Sequence, residues 1–483
     1  MVPGAPELNR PQAFKTYPAA PVQLLPRALV ASELSAVEVL SGVKGRAAPL
    51  DLALLGTLLF LADGVVRVMR TPEGEDVWFR SAMSAGNLHP VEMYVVSDAL
   101  GGVYHYDPLG HGLALVRPRR RRNGDDGGGM TVVLSGVPLR TCWRYGARGW
   151  RHLWWDAGTV LANILAVSDA HGLDAGLVTS FADADVSEVI GCESVDEVPL
   201  VVVRLGPPGR LWPSALELGP AEPSMPVSSR PLAMPQVDAF QLAGNLMGPD
   251  LSEWGQGAQA LAREVPEQVG PFSSPRPQPR PGAQDRIEDV VLRRGSLRSF
   301  GYGPAPGALL TWVLAVSARP ARFDVCPSGS LISTVVNVHD VDGFDPGTYR
   351  FTPGPGFERQ AAAGPPRLLS AELCLGQQRA GDASWTGFHV ASTPLPADKV
   401  GGRAYRLALM EAGIRAGRLS LAACALGGGA TGMTFDDRQV RVAFGLITLP
   451  LLATSVGLRS SPPPPSGTPG SPVEIRARNR CGL

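Results

Sequence analysis

The chain has 483 residues, 44 basic and 44 acidic side chains, and 44% hydrophobic residues. That length is too long for one compact core and suits two or three, and the apolar fraction excludes wholesale disorder. Zero net charge argues against a dedicated nucleic-acid binder, which would carry a basic excess. Only Lys15, Lys44 and Lys399 are lysines; the other basic residues are Arg, a skew that matches GC-rich codon usage. The six cysteines are dispersed without a C-x-x-C pair, so neither a disulfide framework nor a zinc site is expected. No apolar signal region opens the chain, and the longest apolar stretch, Leu52 to Ala62, is far short of the ~20 residues of a membrane span. A cytoplasmic, soluble protein is expected.

In chain order, Pro11-Gln-Ala-Phe-Lys-Thr-Tyr17 precedes a Leu-rich helix predicted over Leu50 to Leu61. Ser84-Ala-Gly-Asn-Leu-His-Pro90 then leads into a strand, Met93 to Ser97, and the turn-strand Gly102-Val-Tyr-His-Tyr106. The arginine run 117–122 flows into the glycine-rich stretch 123–129 and reads as an exposed hairpin loop. Trp143-Arg-Tyr-Gly146 and Arg148-Gly-Trp-Arg151 follow, then Asp156-Ala-Gly158, an apolar helix from Thr159 to His171 ending at Gly172, and Phe181-Ala-Asp183. Asp156 and Arg148 read as a structural pair, and Trp143, Trp150, Trp154 and Trp155 as interface packing.

The same succession returns. A second Leu-rich helix over Ala308 to Val316 precedes Pro327-Ser-Gly-Ser-Leu331, a strand Thr334 to Val338 and Pro346-Gly-Thr-Tyr-Arg350. Arg403-Ala-Tyr-Arg406, Glu411-Ala-Gly413, a helix Ile414 to Leu426 ending at Gly427 and Phe435-Asp-Asp437 complete the echo. Arg-to-Arg, Arg-to-acid and Arg-to-Gly steps are three, eight and ten in both stretches, an internal repeat offset by about 250 residues. The expected organisation is a first domain 1–215, a Pro-rich extended linker 216–285, a second domain 286–460 and a disordered Pro-rich tail 461–483. Repeated α+β units in one chain are expected to pack as a pseudo-dimer.

No P-loop, G-x-G-x-x-G, H-E-x-x-H or G-x-S-x-G is present, and the seven histidines lack metal-ligand spacing. Arg294-Gly-Ser-Leu-Arg298 places two guanidiniums and a hydroxyl two residues apart on an extended stretch, which suits a phosphate and an adjacent polyol; a solvated surface is the alternative. Together with the Leu-rich helix, the S-A-G-N-L-H-P segment and the glycine-rich turn, it resembles the FMN-dependent nitroreductase fold. The variants S-A-G-N-L-H-P-V-E-M-Y, G-V-Y-H-Y-D-P and W-R-Y-G-x-R-x-x-R-x-x-x-x-D-A-G further resemble the SagB-type (McbC-like, ThcOx-like) azoline dehydrogenases. The tandem form is similar to the dehydrogenases of thiopeptide biosynthesis.

That resemblance implies a tandem α+β nitroreductase-like pseudo-dimer, with flavin held between units. It implies that Arg294 and Arg298 neutralise the FMN phosphate and that Ser296 bonds phosphate or ribityl. Ser84 and Asn87 would fix the ring or ribityl chain, and Gly429-Ala430-Thr431-Gly432 would let backbone approach the flavin. A helix C-cap is the alternative for those glycines, and Arg459 is a further phosphate candidate. R-x-S-x-R survives only in the second half and S-x-x-N only in the first, so one composite FMN site is expected. The resemblance assigns catalysis to a Lys-Tyr pair, read here as Arg144-Tyr145, with Lys399-Val400 at the repeated position. Tyr145 is then the expected base, with Arg144 lowering its pKa. The implied substrate is a thiazoline or oxazoline in a precursor peptide, with a cyclodehydratase complex as a further partner. The alternatives are an NAD(P)H-dependent reductase of small molecules and a non-catalytic scaffold.

Overall fold

The structure is a computed structural model describing residues 10–119, 130–192, 196–206, 218–229, 233–264, 285–353, 356–361 and 364–476. The first half contains β1 (Val22–Leu24), β2 (Val65–Arg70), β3 (Asp76–Arg80), β4 (Val91–Ser97), β5 (Gly102–Asp107), β6 (Gly112–Pro118), β7 (Met130–Gly136), β8 (Ala175–Val178) and β9 (Val198–Leu205). Next come β10 (Arg263–Glu264), β11 (Gly329–Ser330), β12 (Ile332–Val338), β13 (Gly347–Thr352), β14 (Gly356–Gln360), β15 (Trp385–Ala391), β16 (Gly428–Met433), β17 (Pro450–Leu458) and β18 (Val473–Arg476).

Two large sheets result, ordered β1-β6-β5-β4-β7-β9-β8 and β14-β13-β12-β15-β17-β16. Apart from β1 at one edge, the second order repeats the first strand for strand, and the main ladders are antiparallel. Near-continuous burial of β4 and β15 follows from helices on their faces, which is why they read as apolar runs.

The centre is a pair of long helices, Gly149–Ala170 and Lys399–Ala425. They begin about three and four turns earlier, respectively, than their apolar runs predict, because R-x-x-R and its aromatic neighbours continue the helical row. Their crossing explains the repeated acid-Ala-Gly motif. A Cβ at Gly158 would lie 2.3 Å from the Met410 carbonyl oxygen, and one at Gly413 would lie 2.3 Å from that of Trp155. Each glycine therefore lets the opposite backbone approach, a contact any side chain would prevent.

The other repeated motifs exchange partners across this crossing. Arg148 Nη1 and Arg151 Nη1 donate to Asp437 at 2.5 and 2.7 Å, and the Arg148 guanidinium lies 5.1 Å from the Phe435 ring centroid. Reciprocally, Arg403 donates to Asp183 at 3.0 Å, joined by Arg406 at 3.4 Å, with Arg403 4.5 Å from the Phe181 centroid. The expected Arg148–Asp156 pair is thus corrected: Arg148 reaches across the crossing. Trp154 is buried beneath the Arg406 guanidinium and Trp150 stacks on Tyr405, so these two pack as interface residues.

Two expectations about the intervening and terminal segments change. Within 216–285 lie two helices, Pro235–Ala243 and Asp250–Leu261, the second burying Trp254 and Ala258. Each helix buries only two residues, Val237 and Gln241 in the first and Trp254 and Ala258 in the second, too few to show as an amphipathic run. The tail is also ordered through residue 476. β18 pairs in parallel with β2, completing a three-stranded sheet with β3. The open β2 edge offers backbone partners that a Pro-rich sequence alone does not reveal. Residues 477–483, and 120–129 of the arginine-glycine stretch, lie outside the described residues.

Candidate functional site

A cavity of about 390 Å³ opens beside the helix crossing and takes its walls from both halves. This is within the ~300–1,000 Å³ range of small-molecule and cofactor sites. Ser84, Asn87 and Tyr145 line it from the first half; Arg294, Ser296, Arg298, Thr431 and Gly432 line it from the second. Arg67 from β2 and Pro464 and Ile475 from the tail complete one side.

The arginine end is built by strand contacts. Leu297 N–H donates to the Ala430 carbonyl at 3.1 Å, which pins the Arg294–Arg298 segment onto β16. A Cβ at Gly429 would meet Leu297 at 2.8 Å, so that glycine serves this packing. Gly429 and Ala430 are thereby corrected from cavity contacts to supports, since neither lines the cavity. At Gly432, in contrast, an added Cβ would meet nothing within 4 Å and would enter open space.

Arg294 is buried, with Nε and Nη2 donating to the Ser81 carbonyl at 3.1 and 2.9 Å. Arg67 is also buried; its guanidinium bonds the carbonyls of Pro465 and Leu292 and the Ser466 hydroxyl. Burial lowers both to about 10, and each is further lowered by its arginine neighbours: Arg294 by Arg67 and Arg459, Arg67 by Arg459. Arg298 is exposed, and among the described residues its guanidinium has no hydrogen-bond or ion-pair partner. Among the described residues no carboxylate ion-pairs with Arg67 or Arg294 either, so three guanidiniums line the cavity without an ion-paired carboxylate. Arg459 stands just behind, half-buried, donating weakly to the Gly428 carbonyl at 3.5 Å, and does not line the cavity.

At the other end the loop after Ser84 sets the shape. Ser84 Oγ donates to Asp156 at 2.5 Å and accepts from the His89 amide at 2.8 Å. Asn87 Nδ2 donates to the Trp78 carbonyl at 2.7 Å, and its Oδ1 lies 3.0 Å from His89 Nε2. Both side chains therefore hold the loop, leaving one amide hydrogen of Asn87 for a ligand. Gly86 has φ +66°, and a Cβ there would lie 2.4 Å from the Tyr145 hydroxyl oxygen. Glycine at this point lets Tyr145 close onto the loop.

In the second half, Glu411 accepts from the Ser330 hydroxyl and, at 2.9 Å, from the Leu331 amide, as Asp156 does from Ser84 and, at 3.2 Å, from Ala85. But β12 begins only two residues after Ser330, whereas β4 begins seven after Ser84. The loop that forms the cavity wall is absent there, and Arg415 fills the space, bonding Ser330, Ile332 and Glu411.

Three catalytic expectations meet the structure differently. Tyr145 lines the cavity, but burial raises its pKa and outweighs the lowering by Arg144 and Arg298, so the expected depression is corrected. Arg144 is exposed, its guanidinium 6.0 Å from the Tyr145 ring centroid, and does not line the cavity. Lys399 starts its helix on the surface, paired with Asp250 at 2.9 Å, and lies outside the cavity wall.

Arg67, His152, Trp155 and Asp156 are among the lining residues that the sequence motifs did not assign to the site. For Asp156 a signal existed, since acid-Ala-Gly recurs in both halves. Burial raises its carboxyl to about 7, against the lowering by its Ser84 and Ala85 hydrogen bonds. A raised carboxyl favours the folded state below the unfolded pKa near 4, and that contribution is lost as pH rises from about 4 to about 7. The ceiling is roughly 4 kcal/mol at ~1.4 kcal/mol per pKa unit. Wild type is therefore expected to lose more stability than Asp156→Asn between pH 5 and pH 8 in denaturant unfolding. Parallel losses would overturn this.

Residues 46–207 match the nitroreductase family model and form a nitroreductase-family domain. A curated relative, the putative nitroreductase MJ1384 of Methanocaldococcus jannaschii, is 29% identical over 181 residues, covering 33% of this chain and 81% of its own. A crystal structure of a putative nitroreductase from Anabaena variabilis overlays with a TM-score of 0.63 at 22% identity, covering 92% of this chain and 95% of the other. The chain thus has a nitroreductase-like fold of mixed helices and sheets. The E. coli microcin synthetase McbBCD complex with truncated pro-MccB17 overlaps at a TM-score of 0.27 and 21% identity, covering 39% and 70% of the respective chains, too partial to bear on function.

Proposed function

We propose that this chain is an FMN-dependent azoline dehydrogenase, built as a tandem duplication that keeps one composite site. The observation that carries the flavin reading is a cavity lined by three arginines that have no ion-pair partner among the described residues, together with Tyr145 against a glycine loop. Those residues fit FMN: a phosphate supplies the missing anion for Arg67, Arg294 and Arg298. The space at Gly432 leaves room for a flat ring against backbone. The azoline specificity rests on the W-R-Y-G motif, whose Tyr145 faces this cavity. The domains are proposed at 1–215 and 286–460, with a precursor peptide as substrate and a cyclodehydratase as partner. Among the described residues no helix is long and apolar enough to cross a membrane.

When bound, FMN would supply the acceptor for a hydride, two electrons with one proton. The chain's residues do the rest. Arg67, Arg294 and Arg298 hold the phosphate, and Ser296, exposed at the cavity, is free to bond phosphate or ribityl. Tyr145 takes the ring proton of the substrate, with Arg144 and Arg298 stabilising the phenolate this requires. Aromatisation of the substrate ring supplies driving force, so the protein mainly positions the reacting groups.

One site implies one FMN per chain. Acid release of flavin, quantified by absorbance against protein concentration, is expected to give a ratio near one; a ratio of two would sink the single-site reading. Mass spectrometry of an azoline-bearing peptide is expected to show 2 Da lost per ring. NAD(P)H consumption with small nitro acceptors and no such loss would favour the reductase reading, and colourless protein that binds no added FMN would favour a scaffold.

A further inference from the structure

His152 lies one helical turn after Arg148 and one before Asp156, and its side chain forms part of the cavity wall. It is only 6% exposed, clamped edge-on by Tyr145 at 4.4 Å and stacked on Trp155 at 4.9 Å between ring centroids. Neither nitrogen has a hydrogen-bond partner among the described residues, and Nδ1 is completely buried. An unpaired buried N–H is costlier than an unused lone pair, which assigns the lone pair to Nδ1 and the proton to Nε2, the nitrogen left to meet a ligand. Burial, with Arg148 and Arg151 nearby, pushes the imidazole down to about 3, so it stays uncharged across the working pH range.

The repeat supplies a control built into the chain. At the matching position after Arg406, the second long helix carries Leu407, 2% exposed. An apolar side chain therefore suits this place on the helix, and a histidine occurs where the cavity is. Packing alone does not call for imidazole there.

We propose that the Nε2–H of His152 is a hydrogen-bond donor to the substrate carbonyl oxygen attached to the azoline ring. This rests on the azoline dehydrogenase reading. Loss of the ring proton to Tyr145 leaves an electron pair that spreads onto that oxygen, giving it enolate character. Hydride loss from the neighbouring ring carbon to a bound flavin would carry off that carbon's C–H bonding pair, while the delocalised pair closes the new ring double bond and restores the neutral carbonyl. The substrate thus loses one proton and one hydride, and the donor serves the oxygen only while it carries extra charge. A fixed donor in a water-poor pocket acts most strongly at that stage.

The test uses the full chain with FMN and an azoline-bearing peptide. His152→Leu is expected to keep FMN content and thermal midpoint and to lower kcat by about 10²–10³-fold with little change in KM, the range for losing one such donor. His152→Gln, which restores an N–H, is expected to recover at least tenfold over Leu; a purely structural role would give no such rescue. Wild-type activity in His152→Leu, or a loss confined to FMN binding, overturns the assignment while leaving the azoline reading intact. Failure of wild type, loaded with FMN, to oxidise any azoline peptide overturns both.

Discussion

Tyr145→Phe is expected to lower azoline oxidation by about 10²–10⁴-fold, the usual consequence of removing a positioned proton acceptor, while FMN content is unchanged. The substitution removes one hydroxyl and conserves the ring that packs on His152 and on the Gly86 loop. The pH dependence carries the sharper consequence. Burial holds the Tyr145 phenol above its usual value near 10, and Arg144 and Arg298 offset this only in part. The phenolate fraction therefore grows tenfold per pH unit throughout the accessible range, so the wild-type rate is expected to climb up to the alkaline limit of folding. That limb is expected to vanish in Tyr145→Phe. A plateau entered near pH 7 would instead follow Asp156, the cavity carboxyl raised to about 7. Asp156→Asn would then be the inactive variant and Tyr145 would lose its role.

Arg298→Ala is expected to weaken FMN retention by about 10–100-fold, the worth of one charged hydrogen bond at ~1.5–3 kcal/mol. This side chain is exposed and has no partner among the described residues, so its loss leaves no broken internal bond to confuse the result. Arg67→Ala is expected to be at least as damaging, because Arg67 also ties the Pro465–Ser466 stretch of the tail to β2. Arg46, exposed in the half that lacks R-x-S-x-R, is the control and is expected to keep its flavin. Equilibrium titration of stripped protein with FMN, followed by flavin fluorescence, measures all three. Loss of binding in Arg46→Ala with retention in Arg298→Ala would reverse the choice of half.

Much of this architecture was legible because repetition is visible without coordinates. Identical Arg, acid and Gly steps in the two halves correspond to two long helices that cross at Gly158 and Gly413. R-x-S-x-R in one half and S-x-x-N in the other end up on one cavity, as their complementary survival suggests. The roles inside those motifs were less visible. Ser84 and Asn87 are engaged in holding their own loop, and Gly429 yields to Leu297 while its neighbour Gly432 faces open space. A string of letters does not distinguish a glycine that makes room for a side chain from one that makes room for a ligand.

The sequence by itself determined the repeat, the helix stops at Gly172 and Gly427, and the unequal survival of motifs between halves. All of these follow from local conformational rules or from counting. Tertiary structure alone decided which polar groups are satisfied and which are left over. Arg148 is taken by Asp437, 289 residues away, and Lys399 by Asp250, while Arg67 is drawn to the cavity by a tail that looked structureless. Among the described residues, the His152 nitrogens and the Arg298 guanidinium remain without hydrogen-bond partners. Pairing is settled by which surfaces the helix crossing brings within about 3 Å, a distance unrelated to separation along the chain.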